Sequence, residues 1–172
     1  MLILAIGAKG GLGTTSLVLA LALARAGDAV GLDLSDGQLA ARLGREARLL
    51  SRPAFASKAQ RRRAVDEVVK RRLTLLWTPE CLLKPDAAWG FVRAVADRAV
   101  VVADGGIEPP EGIAALADEI VIVSAGPDEE SGAADPVVVW HERRLRNRFP
   151  DVLTATNDEE SVRELAERLF GS

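Results

Sequence analysis

The chain has 172 residues, enough for one domain whose hydrophobic core needs no disulfide or metal for stability. Hydrophobic residues make up 48% of it and charged residues 27%, which excludes a disordered or fibrous protein. The net charge of -3 gives no general attraction to nucleic acid or anionic lipid, and the single cysteine, Cys81, excludes an internal disulfide and a cysteine-based metal site.

The first predicted element is a strand at residues 2–6, an uninterrupted apolar run that ends at Gly7. Such a run is typical of a strand buried on both faces of a parallel sheet. Because no basic segment accompanies it, we interpret it as a strand and not as a signal peptide, and we expect a cytoplasmic protein. Further strands are predicted at residues 29–33, 73–77, 99–103, 119–123, 137–140 and 152–155.

Helices are predicted between these strands, some from apolar periodicity and others from composition alone. They cover residues 14–26, 38–43, 64–70, 86–97, 111–117, 141–148 and 161–170, with one more helical piece at 46–50. Strands and helices alternate throughout, which predicts a single α/β domain over residues 1–172. We expect a three-layer sandwich around a mostly parallel sheet of about seven strands.

Three polar features follow predicted strands directly. They are the glycine-rich segment from Gly7 to Ser16, Asp33 and Asp104. Ligands of such folds bind at the carboxyl ends of the strands, so we expect these features to converge on one edge of the sheet.

The glycine-rich segment reads GAKGGLGTTS and lies between the first strand and the first helix. Glycines allow successive amides to turn toward one anion, and the helix start adds free amides and a positive dipole end. The hydroxyl of Thr15 stands where such a loop supplies a magnesium ligand. The segment therefore predicts a phosphate site, the alternative being a tight turn that only connects strand to helix.

The same segment resembles the phosphate-binding loop of the MinD/ParA group of P-loop ATPases, K-G-G-x-G-K-[ST]-[ST]. The residues aligned with this pattern are Lys9, Gly10, Gly11, Leu12, Gly13, Thr14, Thr15 and Ser16. All of them match it except Thr14, which corresponds to the pattern's second lysine by position only. The resemblance continues through Asp33, through Asp104 as a Walker B aspartate, and through the segment ADEIVIV at 117–123. The short form of the chain is most similar to the CpaE/TadZ-like branch.

The resemblance implies a P-loop NTPase-like fold that binds ATP or ADP with Mg²⁺. All eight loop residues and Asp104 would bind the nucleotide, with Thr15 on the metal directly and Asp104 through water. Lys9 and Asp33 would take part in hydrolysis, and Lys9 would reach the phosphates of a partner across a nucleotide-sandwiched homodimer. The function implied is to position or regulate a protein assembly whose identity the sequence does not give.

Two positions depart from the group's pattern. Thr14 replaces the lysine inside the loop, and Ser35 replaces the second aspartate after the second strand. Because phosphoryl transfer depends on positioning and charge stabilisation, we expect ATP hydrolysis to be slow or absent. One alternative is a scaffold that kept the fold without a working nucleotide site. Another is a small-molecule kinase or ligase, although no acceptor-binding insertion is visible.

Other charged segments suggest partners less directly. Basic residues within 58–72 and 143–148 are either solvated helix faces or contacts to DNA phosphates, without aromatic residues for base stacking. The last helix carries more acidic than basic residues, which argues against docking on an anionic membrane. His141, the only histidine, is interpreted as a residue that is either on the surface or satisfied by ordinary hydrogen bonds, without a catalytic role.

Overall fold

The computed structural model describes residues 1–8, 10–24, 29–50, 57–78, 85–124, 152–156 and 159–171. Several predicted features fall outside these ranges. They are the strand at 137–140, the helix and second basic segment within 141–148, and Lys9, Cys81 and His141.

One seven-stranded sheet forms the centre of the described chain, in the order β3-β4-β2-β5-β1-β6-β7. Every described pairing is parallel. The strands are β1 Leu2–Gly7, β2 Val30–Asp33, β3 Ala47–Leu49, β4 Thr74–Leu76, β5 Val101–Asp104, β6 Glu119–Ser124 and β7 Val152–Thr156. The predicted parallel α/β architecture is confirmed.

Helices cover both faces of this sheet. They are α1 Thr14–Ala24, α2 Leu39–Arg42, α3 Lys58–Arg71, α4 Pro85–Ala96 and α5 Glu159–Phe170. Successive side chains of a strand point to opposite faces, so Leu2 and Leu4 pack in the cluster that contains residues of α3 and α4. Ile3 and Ala5 pack in the other cluster, with residues of α1 and α5. This two-sided burial explains the uninterrupted apolar run of β1.

The helical piece predicted at 46–50 is wrong, because β3 occupies this position. Ala47 and Leu49 pair with Thr74 and Leu76 of β4. The amide of Leu50 then donates to the Leu76 carbonyl at 2.9 Å. Pairing with a strand distant in sequence decides the conformation here, and no local pattern reports such pairing.

The helix predicted at 111–117 is also wrong, because this segment forms successive turns. Gly112 has a φ of 86°, which no right-handed helix contains. The short hydrogen bonds of the segment span three residues, from the Ile113 amide to the Pro110 carbonyl at 3.4 Å and from the Leu116 amide to the Ile113 carbonyl at 3.0 Å. The other described elements lie where they were predicted, with ends shifted by a few residues and α3 six residues longer at its start.

A charged cluster ties α4 to the amino edge of the sheet. Asp118 accepts a hydrogen bond from the Leu2 amide at 2.6 Å and one from Arg93 Nη1 at 2.9 Å. Burial of the Asp118 carboxyl favours a higher pKa, but the bonds from Arg93 and Leu2 outweigh burial and hold the pKa below its ordinary value. Asp118 therefore stabilises the fold in its ionised form.

We expect Asp118→Asn to lower the free energy of unfolding by about 1 kcal/mol at pH 7, since the side chain is partly exposed. A carboxyl with a lowered folded-state pKa contributes stability above its unfolded-state pKa and loses it as the pH falls through the folded-state pKa. Urea unfolding should thus show the difference shrinking below about pH 4. Asp97→Asn, which removes an exposed partner of the same Arg93, should change stability by less than about 0.5 kcal/mol. A difference independent of pH would contradict this role.

Candidate phosphate and magnesium site

Three strand ends meet at the middle of the carboxyl edge. Strands β2, β5 and β1 are neighbours in the sheet. Asp33 of β2 and Ala5 of β1 are both in register with Asp104 of β5. The predicted convergence of the glycine-rich loop with the two aspartates is therefore confirmed.

The loop leaves the sheet at a fixed point after β1. The Gly7 amide donates to the Gly106 carbonyl at 2.8 Å, and the Ala8 amide donates to the Val123 carbonyl at 2.9 Å. Gly11 and Gly13 have φ values of 79° and 84°, in the region that side-chain-bearing residues rarely adopt. These two glycines let the chain reverse direction before α1 begins.

Main-chain amides on both sides of this reversal have no partner in the described part of the chain. The amides of Gly10, Gly11, Thr14, Thr15 and Ser16 donate to no described acceptor. Those of α1 belong to its first turn, where helices leave amides free and where the dipole favours an anion. A Cβ atom placed on Gly11 would meet nothing within 4 Å, so the space beside it is open. The arrangement suits a phosphate group.

Asp104 is buried beside the loop with one oxygen unused. It is 1% exposed, its Oδ1 accepts a hydrogen bond from the Gly106 amide at 3.1 Å, and among the described residues its Oδ2 has no partner. Burial raises the pKa of Asp104, while the Thr15 hydroxyl and the Gly106 amide counter part of the rise. The Thr15 hydroxyl and the Asp104 carboxylate are thus adjacent oxygen groups, which is the donor chemistry that Mg²⁺ prefers.

Two glycines after Asp104 keep its backbone against β1. The Gly105 amide donates to the Ala5 carbonyl at 2.9 Å, and a Cβ on Gly105 would lie 2.9 Å from that same oxygen. Gly106 has a φ of 62°. These two glycines were not predicted as part of the site, although their position directly after a strand-end aspartate indicated a role there.

Asp33 is engaged by its own loop. Its Oδ1 accepts hydrogen bonds from the amides of Ser35 and Gly37, each at 3.1 Å, and from Ser35 Oγ at 3.3 Å. Its Oδ2 accepts the Leu39 amide, the first of α2, at 2.8 Å. The side chain is buried, with 1% exposure. Through these contacts, Asp33 stabilises the conformation of the segment that leads into α2.

The remaining predicted site residues belong to the loop and differ in burial. Thr14 is buried and opens α1, Ser16 is exposed, and Leu12 is half-buried against the α1 side of the core. Ile107, which sequence analysis missed, is 39% exposed, and its Cδ1 would lie 3.6 Å from a Cβ on Gly10. Its sequence neighbourhood carries no signal for this contact, because Gly10 is far away along the chain.

The described ranges contain little sign of other kinds of site. They contain no group of three or more histidine, cysteine, aspartate or glutamate residues arranged to hold a metal. No helix within them has the length and apolarity needed to cross a membrane. A site with one or two carboxylates is typical of Mg²⁺ bound together with phosphates, so the first finding is compatible with the Asp104 arrangement.

Comparison with known proteins places the fold. No family model and no curated protein matches the sequence. The MinC:MinD cell division protein complex of Aquifex aeolicus matches with a TM-score of 0.56 and 18% identity, over 96% of this chain and 72% of that one. A plasmid partition protein from Borrelia burgdorferi matches with a TM-score of 0.50 and 13% identity, over 99% of this chain and 85% of that one. The chain thus has the fold of MinD/ParA-like proteins.

Proposed function

We propose that this chain binds a magnesium-bound adenine nucleotide between β1 and α1, and uses the bound nucleotide to regulate a partner assembly. The observation that carries the proposal is the set of loop amides that have no partner among the described residues, near the Asp104 carboxylate, whose Oδ2 also has no partner there. An anion receptor and a cation ligand in one place suit a ligand that combines phosphates with Mg²⁺.

The metal would be held by two residues. Thr15 would bind it through its hydroxyl and Asp104 through water, and their contact in the structure supports this pairing. A bound Mg²⁺ supplies positive charge that neutralises phosphate oxygens. The amides of Gly10, Gly11, Gly13 and Thr14 would hold the phosphates through the main chain. Binding the metal through two side chains and the phosphates through main-chain amides needs no charged side chain within the loop itself.

Hydrolysis is proposed to be slow or absent. Thr14 provides no ammonium group to the phosphates. The four hydrogen bonds that Asp33 accepts from its own loop also leave it poorly suited to orient a water molecule. We therefore assign Asp33 a role in shaping the loop before α2. Lys9 would contact phosphate, across a homodimer in the arrangement that the resemblance implies.

A protein partner is proposed from the structural neighbours. MinD occurs in a complex with MinC, and the second neighbour is a plasmid partition protein. Ile107 is partly exposed and lies next to Gly10 of the loop. An exposed apolar side chain at this position suits contact with a second copy of the chain that binds over the nucleotide.

The proposal predicts that Asp104→Asn weakens binding of Mg-ATP and Mg-ADP about 10–100-fold in calorimetry, because it removes the charge that attracts the metal. Binding measured in excess EDTA should be weak and the same for both proteins. Since burial disfavours the ionised form of Asp104, the variant should melt at or above the wild-type temperature, which separates lost binding from unfolding.

Asp36→Asn is the matched control for this experiment. Asp36 is an exposed carboxylate close enough to Asp104 to raise its pKa, and its Oδ1 accepts the Gln38 amide at 3.0 Å, a bond that asparagine can keep. We expect its affinity to stay within about twofold of wild type. No heat from either nucleotide with the wild-type protein, or equal binding by Asp104→Asn, would refute the proposed function.

A second prediction concerns the ammonium group that the loop lacks at position 14. Thr14→Lys should tighten Mg-ATP binding about 10–100-fold, because hydrogen bonds to charged groups are among the stronger ones. Ser16→Lys adds the same charge two residues later, at an exposed position, and should have a much smaller effect. Fluorescence titration with a labelled nucleotide would measure both. Equal gains from the two variants would indicate general charge attraction in place of a defined phosphate contact.

A further inference from the structure

A group of four cations stands on the first half of α3. This basic patch consists of Lys58, Arg61, Arg62 and Arg63, all of which are exposed. The same helix buries Val65 and Val68 in the core, so its packing is satisfied by other residues. The basic patch is therefore not needed to hold α3 on the sheet.

None of the four cations forms an ion pair with a described residue. Three arginines that lie on or near α3 behave differently. Arg48 pairs with Glu67, Arg71 pairs with Glu67 and Glu46, and Arg98 pairs with Asp66. These pairs also neutralise the acidic residues of α3, Asp66 and Glu67, so that the positive charge of the basic patch is left uncompensated nearby.

Lys58 and Arg61 of the basic patch also oppose the dipole of their own helix, because they lie in its first turn. Ser57 caps the start of α3 by accepting the Gln60 amide at 3.2 Å, and no acidic residue occupies the first turn. Cations near the positive end of a helix are unfavourable, whereas an anion bound there is favourable. A bound anionic partner would offset this electrostatic cost. It would also accept hydrogen bonds from the guanidinium groups.

The length of the basic patch and the net charge of the chain both favour a short partner. The basic patch spans about 9 Å along the helix, at 1.5 Å per residue. No aromatic residue lies in α3 to stack on a base, and the whole chain has a net charge of -3, which opposes a long polyanion. Guanidinium forks match carboxylates in geometry as well as charge. We propose that the basic patch is the docking surface for a short acidic segment of a partner protein.

Fluorescence anisotropy with a labelled peptide of ten glutamates tests the proposal on the full chain. The wild type should bind it, with affinity falling steeply with added salt, and should not bind a ten-glutamine peptide. Replacing the three arginines together (R61Q, R62Q and R63Q) should weaken binding at least about tenfold. The pair R163Q and R168Q, which removes two exposed arginines from α5, should leave binding within about twofold.

The triple variant should melt close to the wild-type temperature, because the three arginines are exposed and form no ion pair with a described residue. Retained peptide binding in that variant, or no binding by the wild type, would overturn the proposal. Tighter binding of a random-sequence DNA duplex or of vesicles rich in anionic lipid through the same arginines would overturn it in favour of a phosphate surface. Nucleotide titration of the triple variant should match wild type, so failure here and failure of the proposed function are distinguishable.

Discussion

Hydrogen bonds between the end of β1 and its two neighbouring strands hold the candidate site together. The Gly7 amide bonds to Gly106 and the Ala8 amide bonds to Val123, so the loop begins from a fixed point. The contact of Gly105 with Ala5 fixes the segment that follows β5 in the same way. The loop and the buried carboxylate of Asp104 are consequently held next to each other, which is the constraint on which any combined phosphate and metal site here depends.

The electrostatics of this space explain why main-chain groups matter so much in this chain. With threonine at position 14, the phosphates of the proposed ligand would be held by amides, a helix dipole and a metal ion. Asp33, a second buried carboxylate nearby, is committed to four hydrogen bonds within its own loop. Under the proposed function, such a site would be better suited to binding a nucleotide than to hydrolysing it, because binding needs complementarity to the ground state only. A nucleotide-dependent switch with little turnover fits these contacts.

The fold could be predicted from the sequence where local signals and tertiary packing agree, as in β1 and α1. It could not be predicted at β3, because pairing with β4 is a contact between segments distant in the chain. The candidate site divides similarly. Strand-end positions predicted that Asp33 and Asp104 would meet the loop. They could not predict that one carboxylate is engaged by its own loop while the other keeps an oxygen without a partner among the described residues.

The most direct test concerns the amides themselves, independently of any base or sugar. A ¹⁵N-labelled sample titrated with magnesium pyrophosphate would report on each amide separately by NMR. The account predicts that the largest shifts fall on residues 10–16, with smaller changes around Asp104 and little change along α3 and α5. Unchanged amides at 10–16, whether with shifts elsewhere or with none at all, would contradict the claim that this loop is an anion receptor.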